Sequence, residues 1–382
     1  MNSPKPILML GGTGYIGSTV LTHLLKTTDT ILRSSPITLL LRGPPSRHDP
    51  FLAEGFHVLP FNSLSDTATL EPAARDHHIV VNAGIGYHLE SSLALLRGLT
   101  ARKAEGHTAI YIHTDGTSNL GDRPVSGAYV EPEGVREFSD AHDDIYSYMK
   151  AREQHESYIQ RATSVAVIEK GLELGVPTYT LMPPTIYGEG TGGRFGGNLH
   201  STMIPLLIQD AVKHGVASVI GDGTGVRDYV HVEDLAALYE LVLGTHLRGG
   251  RMPNGEEMPY GKRGIYFSSS GTYTWMEASQ AIADAGFEMG VLHTRDVKKL
   301  GLSEAAERWN GGDEMLAELG LASNSVTKSD LAELLGWKPR RSGEDIKNHF
   351  SKEFEVILEE MKGKGDAEES LVIAGKAAAR TE

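Results

Sequence analysis

The sequence predicts an α/β fold with a doubly wound parallel sheet, helices on both faces and a smaller mixed subdomain toward the C-terminus. In the first half of the chain, short apolar runs alternate with helix-like segments, the pattern of a parallel sheet with right-handed crossovers. From about residue 186 the pattern changes to a Gly-rich loop followed by mixed helices and short strands. At 382 residues the chain can bury the large core that such an architecture needs.

The individual elements follow from the spacing of apolar residues. Six apolar runs predict strands, at 7–10, 37–41, 56–61, 78–84, 108–114 and 177–183. Four segments between them predict helices, at 15–27, 66–76, 88–105 and 155–174. Further along, an apolar segment predicts a helix at 201–213, a strand–turn–strand–helix unit follows it, and 248–264 reads as a surface loop.

Composition excludes several classes of function. A formal charge of −14 disfavours a nucleic-acid partner, because phosphate binding needs clustered Lys and Arg. The absence of cysteine excludes disulfides, thiol nucleophiles and thiolate metal sites, and no other metal-ligand pattern is evident. The N-terminal apolar run, 7–10, is too short for a signal peptide or a membrane span. We therefore expect a soluble cytoplasmic protein with a small-molecule substrate and neither a membrane nor a nucleic-acid partner.

The first strand is followed by a glycine-rich loop that is typical of phosphate binding. Gly11 and Gly14 follow this strand directly, and Gly17 lies at the start of the first predicted helix, which Tyr15 and Ile16 begin. Glycine permits a tight turn, a close approach of the backbone to a pyrophosphate, and close packing of the helix on the strand. The helix N-terminus adds free N–H groups and a partial positive charge. The loop therefore predicts a dinucleotide site formed by these five residues.

The end of the second predicted strand bears on which dinucleotide is bound. An acidic residue there would bind both ribose hydroxyls of NAD, but this sequence has Arg42, with Arg47 nearby. A guanidinium suits the 2′-phosphate of NADP, so NADP is favoured over NAD. The alternative is a solvated basic turn with no role in binding.

Five motifs occur in an order that resembles the extended short-chain dehydrogenase/reductase family, in its NAD-dependent epimerase/dehydratase branch. They are GGTGYIG, VVNAG, YIHTDGTS, PPTIYGEG and GDGTGVRDYVHVEDLA, and the resemblance runs from about residue 6 to about 350. It implies a Rossmann domain (1–185 plus about 226–247) and a substrate-binding subdomain (186–225 and 248–362), and the polar composition of 363–382 predicts a mobile tail. It also implies a possible homodimer formed through helices at 88–105 and 151–171. The residues carried over are Asn82, Ala83 and Gly84 for the cofactor, and Asn198, Leu199 and Arg227 for the substrate.

The catalytic positions depart from the family pattern of a Ser or Thr, a Tyr and a Lys. The hydroxyl position after the fifth strand holds Asp115, and Thr114, Thr117 and Ser118 flank it and could substitute. In the family, the Tyr precedes the position of Thr185 by about 29 residues. Counting back places Glu156 at the Tyr position and Gln160 at the Lys position.

A Tyr-x-x-x-Lys spacing does exist, at Tyr146 and Lys150, but about ten residues too early. On a continuous helix this displaces the pair by about 15 Å, outside reach of the nicotinamide. Three interpretations stay open: an ordinary helix surface, a lid at 139–152 that brings Tyr146 to the pocket, or a shifted register.

These observations leave three hypotheses for function. The first is an NADP-dependent oxidoreductase that acts on a small carbonyl or alcohol and has an altered Ser-Tyr-Lys site. The second is a nucleotide-sugar epimerase or dehydratase, suggested by the GDGTGVRDYVHV and GGNL segments. The third is an NAD(P)-binding regulator, or an enzyme that uses the same pocket for non-redox chemistry.

Overall fold

A computed structural model describes residues 5–341 and 343–364 of the chain. The predicted tail at 363–382 lies, from residue 365 onward, outside the described residues. The strands are β1 (Ile7–Leu10), β2 (Ile37–Leu41), β3 (His57–Pro60), β4 (Ile79–Asn82), β5 (Ile110–Thr114), β6 (Glu137–Ser139), β7 (Thr178–Met182), β8 (Thr185–Tyr187), β9 (Ala217–Ile220), β10 (Val226–His231), β11 (Ile265–Phe267), β12 (Gly271–Thr274), β13 (Val297–Leu300) and β14 (Val326–Lys328).

Helices follow most of these strands along the chain. They are α1 (Tyr15–Leu24), α2 (Thr30–Ser34), α3 (Asp49–Ala53), α4 (Thr67–Arg75), α5 (Leu89–Ala104), α6 (Ile145–His155), α7 (Ile159–Leu174), α8 (Met203–His214), α9 (Val232–Leu247), α10 (Trp275–Glu288), α11 (Leu302–Trp309), α12 (Glu314–Leu321), α13 (Asp330–Leu334) and α14 (Gly343–Lys364). None of the helices within the described ranges combines the length and hydropathy needed to cross a membrane.

The central sheet has seven strands in the order β3-β2-β1-β4-β5-β7-β11, and every neighbouring pair is parallel. Side chains alternate between its faces, so Ile7 and Met9 enter the core beneath α1 and α9, whereas Leu8 and Leu10 enter the core beneath α4 and α5. Both faces are therefore covered, which explains why the strands are continuous apolar runs. The predicted α/β fold class is confirmed, and all six predicted strands occur within the predicted segments.

The C-terminal half builds a second hydrophobic core. It lies among α8, α10 and α14 and contains the large buried side chains of Trp275, Trp309 and Phe354. Two smaller sheets, β12-β10-β8 and β13-β9, contribute residues to it, and a third pairs β14 with β6. The strand β11 comes from the segment assigned to the substrate-binding subdomain, yet it forms the edge of the central sheet. The division into two subdomains stays a prediction, and its boundaries would have to assign β11 to the first.

The predicted helix at 155–174 begins four residues later, at Ile159, and a separate helix precedes it. Glu156 and Tyr158 adopt extended backbone conformations, with φ of −148° and −134°, and these residues interrupt the helix between α6 and α7. Asp144 caps the start of α6 by accepting a hydrogen bond from the backbone N–H of Ser147 at 3.0 Å. The assumption of one continuous helix from Tyr146 onward is therefore wrong.

Candidate active site

The glycine-rich loop has the geometry that a pyrophosphate requires. Gly11 has a φ of +91°, and a Cβ atom there would lie 2.5 Å from the backbone nitrogen of Gly84, so only glycine fits. A Cβ atom on Gly17 would overlap the carbonyl oxygen of Gly11. Gly14 precedes α1, and no side chain caps the helix at this residue. The backbone N–H groups at the start of α1, including those of Tyr15 and Ile16, lack a side-chain cap and fit an anionic phosphate.

A cavity of about 150 Å³ adjoins this loop at the ends of β1, β2 and β4. The guanidinium of Arg42 lies 6.0 Å from the centre of the Phe61 ring, and both Arg42 and Arg47 are exposed. Neither arginine forms an ion pair with another described residue, and no acidic residue lines the cavity. Its lining residues are Leu10, Gly11, Thr13, Leu40, Arg42, Arg47, Phe61, Leu64, Gly84 and Ile85. The structure thus brings the predicted Arg42 to the same cavity as Gly11 and Gly84.

The segment after β4 connects this cavity to the end of β5. Ala83 donates its N–H to the carbonyl of Leu10 at 3.0 Å, which holds the segment against the phosphate loop. The Asn82 side chain is buried and orders the turn, since its oxygen accepts the N–H of Gly84 at 3.2 Å. A Cβ atom on Gly86 would lie 2.5 Å from the carbonyl oxygen of Thr114 and 3.5 Å from the Cα of Asp115. Gly86 therefore allows the backbone after β4 to approach the predicted catalytic position.

Thr114 and Asp115 point in opposite directions at the end of β5. The Thr114 hydroxyl bonds to the hydroxyl of Tyr239 on α9, on the face of the sheet away from α7. The Asp115 carboxylate instead faces α7 and is 8% exposed as a residue. The structure therefore does not bring Thr114 into the group around Asp115, because successive side chains at a strand end point to opposite faces.

Four donors hold the carboxylate of Asp115. Gln160 on α7 donates its Nε2 to Oδ1 at 2.8 Å, and Asn119 donates its Nδ2 to Oδ2 at 2.6 Å. Ser164, one turn after Gln160 on the same face of α7, also donates to Oδ2, and the N–H of Gly116 adds a further bond. Burial nevertheless dominates and raises the pKa of Asp115 to about 7. This carboxyl group can therefore gain or lose a proton near neutral pH.

The tyrosine of this site is Tyr158, two residues after the position that counting gave. Its hydroxyl donates to Oε1 of Gln160 at 2.9 Å and lies 3.2 Å from Oγ of Ser118. Burial raises the pKa of Tyr158 to about 12, so the hydroxyl keeps its proton at neutral pH. The tyrosine is visible in the sequence, but residue counting passed over it. The count assumed a continuous helix, whereas the extended residues before Ile159 let Tyr158 turn inward.

Glu156 lies outside this group. Its carboxylate pairs with Arg123, and Arg123 in turn donates to Glu318 on α12 at 2.9 Å. Arg161 stabilises the break between the two helices: it donates to the carbonyls of Glu156 at 2.6 Å and Asn119 at 3.1 Å. The predicted acid/base role of Glu156 is not supported by this geometry, because its carboxylate is engaged in an ion pair that joins two parts of the fold.

The pair of Tyr146 and Lys150 forms a separate cluster. The Tyr146 hydroxyl donates to Glu169 on α7 at 2.7 Å, and Lys150 donates to the same carboxylate at 2.6 Å. Glu169 follows Gln160 by nine residues on one helix, so the two anchor points are about 13 Å apart along its axis. Tyr146 is buried in a hydrophobic cluster with Met149. Tyr146 and Lys150 of α6 thus contact α7 through Glu169, whereas the hydrogen-bond donors to Asp115 are other residues.

The residues predicted to bind substrate occupy two places. Asn198 donates its backbone N–H to Thr13 of the phosphate loop at 3.1 Å, and its side chain closes a turn with His200. Leu199 accepts the N–H of Gly190 at 2.8 Å, and a Cβ atom on Gly190 would lie 3.0 Å from the Tyr15 ring, so this loop lies against the start of α1. A Cβ atom on Gly192 would overlap Ser18, another sign of close packing there.

Arg227 on β10 is a buried cation. It is 3% exposed, and its Nη1 donates to the carbonyl of Leu319 at 3.2 Å and to the hydroxyl of Ser323 at 3.1 Å. Its Nε has no hydrogen-bond partner, and within residues 5–341 and 343–364 its guanidinium forms no ion pair. Burial lowers the pKa of Arg227, since the charged form loses its hydration. Its hydrogen bonds go to neutral groups and the adjacent Asp228 raises its pKa only through charge, so the guanidinium retains the capacity to bind an anion.

Comparison with known proteins bears on the family and on the fold. Residues 153–253, which include Tyr158, Gln160 and Arg227, match the model of the NAD-dependent epimerase/dehydratase family. The low-salt glycan biosynthesis protein Agl12 of Haloferax volcanii is 24% identical over 244 residues, which span 62% of this chain and 72% of that protein.

Two solved structures show how far the fold is shared. A dTDP-glucose 4,6-dehydratase from Streptomyces venezuelae, solved with NAD, aligns over 94% of this chain and 98% of its own with a TM-score of 0.62 and 16% identity. The UDP-glucose 4-epimerase of Thermus thermophilus in complex with NAD aligns over 92% of this chain and 99% of its own, with a TM-score of 0.56 and 18% identity. The predicted resemblance is thus confirmed: this chain has the fold of these dehydratases and epimerases, and its residues 153–253 match the NAD-dependent epimerase/dehydratase family.

Proposed function

We propose that this chain is an NADP-dependent enzyme of the epimerase/dehydratase type, in which Asp115 transfers a proton beside the nicotinamide. One observation carries the proposal. An unbroken series of close backbone approaches leads from the phosphate loop at Gly11, through Gly84 and Gly86, to Asp115. This path follows the carboxyl ends of the parallel strands, where doubly wound sheets bind dinucleotides. The path ends at Asp115, whose pKa burial raises to about 7, and this supports the proposed role in proton transfer.

The proposal of NADP rests on the positive charge of the cavity beside the glycine-rich loop. Arg42 and Arg47 line it, and neither is neutralised by a described carboxylate. A 2′-phosphate would receive one or two charge-assisted hydrogen bonds there, whereas the ribose hydroxyls of NAD would lack an acidic acceptor. The solved neighbours named above contain NAD, so a preference for NADP would distinguish this chain from them.

The chemistry divides between the cofactor and the chain. When bound, the nicotinamide supplies hydride transfer. Asp115 supplies the proton transfer that accompanies it, because a group that titrates near neutral pH can act as base in one direction and as acid in the other. Tyr158 keeps its proton and donates it to Gln160, which leaves the Tyr158 oxygen free to accept a hydrogen bond, such as that from Ser118 at 3.2 Å.

Arg227 favours an anionic substrate. A buried guanidinium without a carboxylate partner costs free energy that a phosphate group would offset. The dehydratase and epimerase that share the fold are named for dTDP-glucose and UDP-glucose, which carry a diphosphate. We therefore place a nucleotide-linked sugar, or another substrate with a phosphate group, ahead of a small neutral carbonyl compound.

A panel of assays on the purified protein tests this function. We expect NADPH to raise the melting temperature more than NADH does, and equal effects would contradict the NADP proposal. Conversion of dTDP-glucose or UDP-glucose without net use of NADPH would support the epimerase/dehydratase type. Consumption of NADPH with neutral carbonyl compounds would instead support an oxidoreductase that acts on small carbonyl substrates. Cofactor binding with no turnover of any substrate would support an NAD(P)-binding regulator.

Asp115→Asn tests the proton-transfer role directly. The amide keeps the size of the side chain but cannot exchange a proton, so we expect kcat to fall by about 10²- to 10⁴-fold with NADPH affinity unchanged. Asp140→Asn is the matched control, because Asp140 is also buried with a pKa raised to about 7 by burial, but its carboxylate accepts backbone N–H groups of Phe267 and Leu331. Activity that survives in Asp115→Asn would refute the assignment.

A further inference from the structure

Gln160 stands where the resemblance predicts a lysine, and its side chain bonds at both ends. Its Nε2 donates to Oδ1 of Asp115 at 2.8 Å, and its Oε1 accepts the hydroxyl proton of Tyr158 at 2.9 Å. A Cβ atom on Gly116 would lie 2.7 Å from Nε2, so glycine at this position allows the amide to approach. The amide is thus the link between the carboxyl group and the buried tyrosine.

We propose that Gln160 and Tyr158 are positioning residues, and that the Tyr158 hydroxyl orients the Gln160 amide so that its N–H faces the carboxylate of Asp115. The inference rests on the proposed role of Asp115 and deepens it. A primary amide has one accepting end and one donating end, and these differ little in shape. The hydroxyl of Tyr158 keeps its proton at neutral pH and donates it, so it selects the accepting end of the amide. The donating end is then left for Asp115.

The consequence is a carboxylate whose proton affinity depends on two neutral residues. A donor to the charged form stabilises that form and lowers the pKa, opposing the effect of burial. The other groups that face Asp115 are Asn119, Ser164 and the backbone N–H of Gly116, all of them neutral. The nearby charges act on Tyr158 instead, where Arg161 and Arg227 favour the ionised hydroxyl and Asp115 disfavours it. Exchange of Gln160 or Tyr158 leaves all of these groups in place.

Four variants separate the positioning role from a purely structural one. Gln160→Met keeps an unbranched side chain but removes the donor. Gln160→Lys places a cation beside the carboxylate, and Tyr158→Phe leaves the amide but removes the group that orients it. Gln154→Met is the control, since Gln154 is exposed on α6. Thermal unfolding establishes that each variant is folded at the temperature of the measurement.

The readout is the pKa of Asp115 in protein labelled with ¹³C at the aspartate carboxyl carbons, with the signal assigned from its loss in Asp115→Asn. We expect Gln160→Met to raise this pKa by about one to two units and Tyr158→Phe to raise it by a smaller amount. We expect Gln160→Lys to lower it by about one unit or more, and Gln154→Met to leave it unchanged.

The outcomes decide the two halves of the proposal without any assay of turnover. An unchanged pKa in Gln160→Met would overturn the role of the amide, and an unchanged pKa in Tyr158→Phe would overturn the orienting role of the hydroxyl. If Asp115 also performs catalysis, the pH profile of kcat/KM shifts in the same direction as the measured pKa. Shifted pKa values of Asp115 in a protein without activity would refute the proposed function and uphold the positioning role of Gln160 and Tyr158.

Discussion

Removal of Arg42 is the sharpest test of the cofactor site. In Arg42→Ala the cavity beside Gly11 loses one of its two cations, while the apolar wall formed by Leu40, Phe61 and Leu64 remains. We expect affinity for NADPH to fall and affinity for NADH to stay the same. The two cofactors differ only in the 2′-phosphate, so the ratio of their dissociation constants isolates the contact of interest.

The magnitude follows from the exposure of the side chain. A hydrogen bond to a charged group contributes about 1.5–3 kcal/mol, but an exposed pair falls at or below the lower end because water and salt screen it. Arg42 is exposed, so about 1.4 kcal/mol is a reasonable expectation, which corresponds to about a tenfold loss of affinity. Arg47→Ala should behave similarly. If both arginines bind one phosphate, the double variant loses less than the product of the two single effects.

Titration of NADPH and NADH by protein fluorescence at two salt concentrations measures these quantities. We expect selectivity for NADPH to fall as salt rises, because a phosphate contact at an exposed site is screened. Arg251→Ala is the control, since this arginine is exposed on a distant loop, with 67% of its side chain accessible. If Arg42→Ala and Arg47→Ala both leave the NADPH/NADH ratio unchanged, Arg42 belongs to a solvated turn and the proposal of NADP fails.

Three further predictions concern the Tyr146 cluster, the phosphate loop and the pH dependence of stability. Tyr146→Phe should leave turnover and NADPH affinity unchanged. It should lower the free energy of unfolding by about 1–2 kcal/mol, because one hydrogen bond to a carboxylate is lost. A tenfold loss of kcat, measured on folded protein, would show instead that Tyr146 belongs to the active site. Gly17→Ala should abolish binding of either cofactor in a titration, because its Cβ overlaps the phosphate loop, and retained affinity would contradict the assigned site. Burial raises the pKa of Asp140 and Asp228 to about 7, so folding favours their protonated forms, and the free energy of unfolding should fall as pH rises from about 4 to about 7. Urea titrations across this range should show a shallower fall in the Asp228→Asn variant, and an identical slope would refute this contribution.

The sequence was sufficient for the central sheet because its signals are local. Each buried parallel strand is a continuous apolar run, and both the glycine loop and Arg42 are fixed by their places at strand ends. The position of β11 was not predictable in the same way. Its three residues, Ile265–Phe267, are too few for a periodic pattern, and the edge they join is formed by a strand more than eighty residues earlier.

The candidate site shows a different limit. Counting residues from Thr185 assumes that a helix rises by a constant 1.5 Å per residue, and two extended residues are enough to break that assumption. Tyr158 was therefore missed although it lies two residues before Gln160, which the count selected and whose amide contacts Asp115. Spacing within a helix fixes how Tyr146 and Lys150 lie relative to each other, and they do make contact at 3.4 Å. It does not fix where the helix itself packs.

Two departures from the family pattern are physically linked: Asp115 stands in place of a Ser or Thr, and Gln160 in place of a Lys. A lysine at 160 beside the buried Asp115 would form an ion pair, hold the carboxyl group ionised and remove its capacity to donate a proton near neutral pH. A serine at 115 beside Gln160 would leave Tyr158 as the group to deprotonate, with no lysine beside its hydroxyl and a pKa that burial keeps high despite Arg161 and Arg227. Only the combination of a carboxyl group with a neutral amide leaves one titratable group poised near pH 7 and one tyrosine that keeps its proton. On the proposed role of Asp115, the departure from the Ser-Tyr-Lys pattern would move the proton carrier from tyrosine to aspartate, and such a site would need no lysine.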